Sequence, residues 1–462
     1  MGKVLFLILS MLILVEIQGN FMRNLKIEEN PPEPPSGDDP PGPPPGPAPS
    51  GDDENTFDYS NYKATSMNQN LEDKEITSSN VDESAVYINE TGITITNSDL
   101  IKESGDSSNI ENSEFYGVNA AVLVQGGEVT IKGGTISTKS KGANALCATN
   151  KGKVTISETT ISSKSESSGR GLHSTYGGQI SASKVTISST GASCANLATD
   201  RGEGVVNCTE CTLSTSGKGS PLIYSTGQIT ISKTNGEATG SQTVVVEGKN
   251  TATVKDESNL KCYGNGNRNN VDNCGVFLYQ SMSGDAGEGT ATFNCKDSSL
   301  EIVSESSLYD TAPMFFITNT QSVVNLENCT ISYGSGIFLN SASTSEWGNQ
   351  GSNGGKVTLN LNNQDAEGDL VVDGISTLEL VMVNSKIKGK INNDKKASKL
   401  TIKLDSKSKI TLTGDSYYTS LTNEDKSGAN IEKGKFKFEE YGKKSNGNWI
   451  KMSIFLVLII LF

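Results

Sequence analysis

The sequence predicts an all-β fold, a single-stranded parallel β-helix solenoid, and three observations predict it. Aliphatic residues recur seven positions apart, the second of each pair inside Thr-aliphatic-Ser: Val129/Ile136, Val154/Ile161, Ile180/Ile187, Val206/Leu213 and Val324/Ile331. The first four pairs start 25, 26 and 26 residues apart, a period that signals stacked units rather than one globule. Within each unit β-branched and polar residues alternate, as in Val129-Thr130-Ile131, which is the period of a strand.

Each unit reads as three short strands and three turns. The seven-residue pair spans two strands joined at a corner, Lys132-Gly133-Gly134 in one unit and Ser157-Glu158-Thr159 in the next. A shorter strand precedes them at 145–149, 172–175, 195–199 and 222–226, which aligns Cys147, His173, Leu197 and Tyr224 in one column and Thr149, Thr175, Thr199 and Thr226 in another. Strands of successive units then pair in parallel about 4.8 Å apart. Aliphatic columns share one interior, and Thr and Ser columns face solvent. The pattern places the β-helix at 88–420. Segments 244–246, 277–279, 314–317 and 337–339 continue the first-strand column. Insertions at 265–273, 283–289 and 341–355, rich in Gly, Asn and Ser, are expected to project as loops from the corners.

The two ends read differently. Residues 1–19 have the form of a secretory signal, with Lys3, an apolar run over 4–15 and small Gly19. That run is shorter than the ~20 residues a spanning helix needs. Residues 20–87 read as an acidic, Pro-rich linker, because eleven of the thirteen prolines fall between Pro31 and Pro49. Residues 421–448 read as a polar stem and 449–462 as a hydrophobic tail. Ser445, Asn446 and Gly447 precede that tail as small residues do in a GPI-attachment signal, where lipid replaces the tail. The expected location is extracellular, at the cell surface, attached to the membrane through the C-terminus.

A net charge of −14 argues against nucleic acid and anionic membrane surfaces as partners. Eight cysteines in a secreted chain point to disulfides. Cys262 and Cys274 bracket a Gly/Asn loop and are the expected pair. By the coil register Cys208 and Cys295 share a core column, and Cys211 and Cys329 a corner column, so a ladder of buried thiols is the alternative there. Glycosylation sequons stand at Asn89, Asn207 and Asn328.

No catalytic residue, cofactor or metal is assigned. The fallback candidates are Asp200, Arg201 and Glu203 in one acidic Gly turn and Asp285 and Glu288 in another. Glycoside hydrolysis takes two carboxylates across a cleft, and lyases take Ca²⁺-binding carboxylates with a proton acceptor. The two turns lie three coils apart, about 14 Å, too far for one acid–base pair unless the loops fold toward each other. A lone Ca²⁺ at either turn is the other reading, and solvated corners the plain one. His173, the single histidine, is expected to pack inward or near a corner.

Residues 169–178 (Gly-Arg-Gly-Leu-His-Ser-Thr-Tyr-Gly-Gly), 198–204 (Ala-Thr-Asp-Arg-Gly-Glu-Gly), 245–250, 283–289 and 351–357 resemble a family of adhesin-like cell-surface proteins. These are right-handed parallel β-helix (pectate-lyase-like) proteins of anaerobic gut microbes. The resemblance covers about residues 115–415, implies right-handed coils and surface display, and brings no agreed activity. The Pro-rich spacer and short apolar tail depart from that pattern, standing where it has wall-anchoring sequences. The expected function is a non-catalytic surface module that contacts carbohydrate or protein. The alternative is an extracellular polysaccharide lyase or glycoside hydrolase on the same fold.

Overall fold

The computed structural model describes residues 55–268 and 270–442. Three long parallel sheets dominate it. Sheet 1 has 12 strands, from Ala64–Met67 to Asp369–Val372; sheet 2 has 14, from Leu71–Glu72 to Ser420–Asn423; sheet 3 has 10, from Glu75–Ser78 to Thr330–Ser332. Up to the strand Thr377–Val383, each sheet takes every third strand of the chain. Every turn therefore contributes one strand to each sheet, which is a parallel β-helix. Beyond Ser332 a four-stranded sheet, from Asp365–Glu367 to Ile431–Glu432, takes over the third side.

The columns read from sequence stack as expected. Val129, Val154, Ile180 and Val206 pair in register, as do Ile136, Ile161, Ile187 and Leu213. Val324 follows Phe293, and Ile331 follows Leu300. All but Ile331 are buried in one continuous core. Gly236 interrupts the second column above Leu213. Leu222 fills the space, for a Cβ at 236 would lie 2.6 Å from its Cδ1.

The corner between sheets 2 and 3 recurs with its own chemistry. Glu158, Lys184, Glu210 and Lys233 adopt φ of 50–57° there, the left-handed turn that lets two strands meet at an angle. The next residue points inward, and hydroxyls at that place accept backbone N–H groups from the coil before: Cys211 N to Thr234 Oγ1 at 3.2 Å, Thr234 N to Ser258 Oγ at 3.1 Å, Ser258 N to Ser298 Oγ at 3.2 Å. The ladder of hydroxyls satisfies backbone donors where the sheets break off.

Four expectations are corrected. Residues 64–87, expected within the linker, form strands of the first coils. The first coil offers only Leu71 and Ile76 as aliphatic core residues, too few to register as a period. At the other end, residues 421–440, expected as a stem, continue the stack, with Leu421, Ile431, Phe436 and Phe438 packed on the core. The first-strand column also shifts by one. His173 pairs with Ala198, and Leu197 with Leu172, because the 24-residue step had aligned Leu197 one place too far. Finally, Cys262 and Cys274 are unbridged buried thiols. Cys262 belongs to the main core and Cys274 to an aromatic cluster outside sheet 1, so the two side chains face opposite sides of the wall. The disulfides are Cys208–Cys211, within one coil, and Cys295–Cys329, between neighbouring coils, with Cα separations of 6.0 and 6.5 Å. The expected signal, the Pro-rich stretch, Ser445, Asn446, Gly447 and the tail lie outside the described residues.

Candidate functional site

Sheets 2 and 3 turn Thr, Ser and Asn outward, but sheet 1 is covered on both faces over most of its length. Its outward column runs from Tyr87 through Cys147, His173, Ala198 and Tyr224 to Phe277 and Phe316. Over the early coils lie residues 55–62 and the single helix of the described residues, α1 (Ile110–Tyr116), capped by Asn109 and Gly117. Tyr59 packs on Tyr87 and donates to the Tyr116 carbonyl at 2.7 Å. Over the later coils Trp347 packs on Phe277 and Tyr279 at 5.2 and 5.1 Å.

Between these covers sits a chain of charges. Arg170 Nη2 lies 3.2 Å from Asp200 Oδ2 and 3.4 Å from Glu114 Oε1 of α1. One guanidinium thus serves two carboxylates. Burial, against the pull of Arg170 and with Asp285 and Glu114 nearby, raises the Asp200 carboxyl to about 8. Arg201 Nε and Nη2 donate to Asp285 Oδ1 at 3.0 and 2.8 Å, and its guanidinium stands 3.8 Å from the Phe115 ring centre. Glu203 pairs with Lys249 at 2.8 Å. Further along, Glu247 is buried and accepts from Tyr279 at 2.7 Å and from Tyr224. Burial raises its carboxyl too, despite hydrogen bonds that act the other way. His173 is fully buried, and desolvation, then Arg170, keeps it neutral well below its usual range.

The three-coil separation of the two acidic turns holds along the strands, yet the loops do fold toward each other. The 280–289 loop reaches back so that Asp285 meets Arg201 and Gly287 O accepts Lys249 N at 2.9 Å. What meets is a salt bridge and not two carboxylates. Guanidinium groups occupy Asp200 and Asp285, which leaves neither turn with the converging oxygens a Ca²⁺ takes. Among the described residues no group of three or more His, Cys, Asp or Glu side chains is placed to hold a metal.

Glu288 is the exception. It is exposed and lines a cleft of about 630 Å³ at the corner between sheets 1 and 2. Three successive coils build this cleft. The coil of strand Val276–Tyr279 contributes the long loop 280–289, the next coil only Asn319 and Thr320 before its following strand, and the third, after Ile337–Ser341, the longer loop 342–355. Two tall walls thus flank a low floor. The walls stand two coil steps apart, about 10 Å. Gln280, Ser281 and Glu288 line one wall, Asn349 and Ser352 the other, and Asn319, Thr320 and Gln321 the floor.

Both walls are tied down. Asn319 Nδ2 donates to Gln280 O at 2.7 Å, and Gln280 Nε2 to Ala286 O at 3.1 Å. Asn353 Nδ2 bonds Thr344 O and Trp347 O at 2.6 and 2.7 Å, and Ser343 N and Oγ both reach Asp373 Oδ2 at 2.8 Å. The sequence reading found the loops and Glu288 but missed Asn319, Gln321 and Lys356, which sit on strand flanks without any local signal. It also missed Arg170, Glu114 and Glu247. The run Val276-Phe277-Leu278-Tyr279 carries the one available hint, since an apolar stretch without alternation marks a strand buried on both faces. The sequon residues Asn89, Asn207 and Asn328 are all exposed. No protein family matches the chain, and no curated protein or solved structure is detectably similar to it.

Proposed function

We propose that this protein is a secreted, surface-displayed β-helix that contacts a carbohydrate or protein ligand through its corner loops and does not cleave it. The lining of the cleft carries this reading. It contains one carboxylate, Glu288, where acid–base cleavage of a glycosidic bond takes two. The other acids considered, Asp200, Glu203 and Asp285, are held by Arg170, Lys249 and Arg201. Two disulfides support an oxidising location, and display is proposed from the local resemblance of residues 169–178 and 198–204 to adhesin-like surface proteins. The membrane attachment proposed at Ser445, Asn446 or Gly447 is tested by phospholipase release from intact cells; a mature protein that retains residues 453–462 overturns it. The contact function is tested by screening the secreted chain against glycan and surface-protein arrays alongside polymer depolymerisation. Turnover of a polysaccharide, abolished in Glu288→Gln, establishes the enzyme reading instead.

A further inference from the structure

We infer that the 280–289/342–355 cleft binds one chain of a neutral, hydroxyl-rich polymer, a neutral oligosaccharide, lying across the solenoid along its strand direction. The inference rests on the contact function proposed above and gives it a place and a ligand class.

Three features carry it. The width comes from the architecture: two inserted loops separated by one short corner put the wall backbones two coil steps apart, about 10 Å, with a single coil as floor, which admits a single extended chain and not a protein face. The chemistry of the slot is that of neutral hydrogen bonding. Gln321 and Asn349 bring exposed amides, and Ser281 and Ser352 bring hydroxyls. Each amide offers both donor and acceptor, as a sugar hydroxyl requires. The charges balance, with one exposed Glu288 and one exposed Lys356. No arginine lines the cleft. Arg170 and Arg201 are engaged with carboxylates elsewhere, so the bidentate partner favoured by uronate or sulfate groups is lacking there. The walls are fixed in advance by the Asn319, Asn353 and Asp373 bonds, which lowers the ordering penalty of binding.

Calorimetric titration of the full secreted chain with three hexasaccharides tests this: cellohexaose (neutral), hexagalacturonate (anionic) and hexaglucosamine (cationic), followed by a neutral-glycan array for linkage. Three variants accompany it. Gln321→Trp fills the floor, Asn349→Ala trims one exposed wall amide, and Thr155→Trp places the same bulk on the exposed outer face of sheet 2. Circular dichroism and thermal midpoints verify that each folds. The expected result is binding of neutral glycans alone, lost in Gln321→Trp, weakened about tenfold in Asn349→Ala, and unchanged in Thr155→Trp. Glycan binding that survives Gln321→Trp, that fails equally in Thr155→Trp, or that prefers a charged hexamer overturns the inference while leaving the contact function standing. Failure to bind any glycan or surface protein overturns both.

Discussion

The Arg201–Asp285 pair should act as the clasp that holds the first wall of the cleft. Its partners lie in turns that follow sheet 1 strands three coils apart, and the side chains are 32 and 26 % exposed. An exposed ion pair contributes about 0–1 kcal/mol, and a charge-assisted hydrogen bond about 1.5–3 kcal/mol. A half-screened pair in which two guanidinium nitrogens share one oxygen falls between, at about 1–2 kcal/mol. Arg201 also lies against Phe115, worth about another 1 kcal/mol. Asp285→Ala should therefore loosen the 280–289 loop by about 1–2 kcal/mol, and Arg201→Ala by about 2–3 kcal/mol. The double variant should be no worse than Arg201→Ala alone. Native-state hydrogen exchange reads this directly, because Lys249 N is bonded to Gly287 O within the clasped loop. Its amide should exchange roughly 5–30 times faster in Asp285→Ala, while amides of the strand Thr186–Ser189, in sheet 3, stay unchanged. A coupling energy below about 0.3 kcal/mol in the Arg201/Asp285 cycle, or unaltered exchange at Lys249, refutes the clasp.

Other consequences are equally open to measurement. Asp200 has a folded-state carboxyl raised from 3.8 to about 8. Its contribution is complete below pH 4 and falls as pH rises toward 8, so Asp200→Asn should flatten the loss of urea midpoint between pH 5 and 8 relative to the parent chain. Leu222→Ala should destabilise by about 2–5 kcal/mol through the cavity it leaves. Gly236→Val, whose new Cβ meets Leu222, should do so by about 1–3 kcal/mol. The double variant should recover part of the loss, and strict additivity of the two refutes the idea that one fills for the other. Alkylation followed by mass spectrometry should find no reactive thiol in the native chain, because burial raises Cys147 and Cys262 to about 12. Four thiols should react after unfolding and eight after reduction; two after unfolding would restore the Cys262–Cys274 bridge.

The stacking of this fold is legible because a coil repeats one problem. Each turn must place an aliphatic residue over the last, as Val154 lies over Val129 and Ile161 over Ile136, and the period survives in the sequence. Where the problem changes, the signal fades. The first coil has little below it to bury, so Leu71 and Ile76 suffice. In the last coils Leu421 and Ile431 are only partly covered, and polar residues surround them. The His173 alignment slipped for a related reason. A three-residue strand such as Leu197–Thr199 lacks the alternation that distinguishes one register from the next, and a slip of one place exchanges inward and outward faces.

The site was legible only in its parts. Loops announce themselves by composition, and residues 283–289 and 341–355 did so. What composition cannot carry is which neighbour stays short. The cleft exists because Asn319-Thr320 is a two-residue corner between two long ones, a relation among three coils and not a property of any one of them. The same holds for the charges. Asp200 and Asp285 look alike in sequence, each opening an acidic Gly turn. Burial, 4 % exposure for the residue Asp200, outweighs the pull of the guanidinium it shares with Glu114 and makes the first a group that resists ionisation. The second, half-buried, clasps Arg201. In a solenoid the axial spacing turns insertions into walls at fixed distances, so ligand width is set by how many coils separate two insertions. Lengthening the 319–320 corner by a few residues should therefore close the cleft without touching either wall.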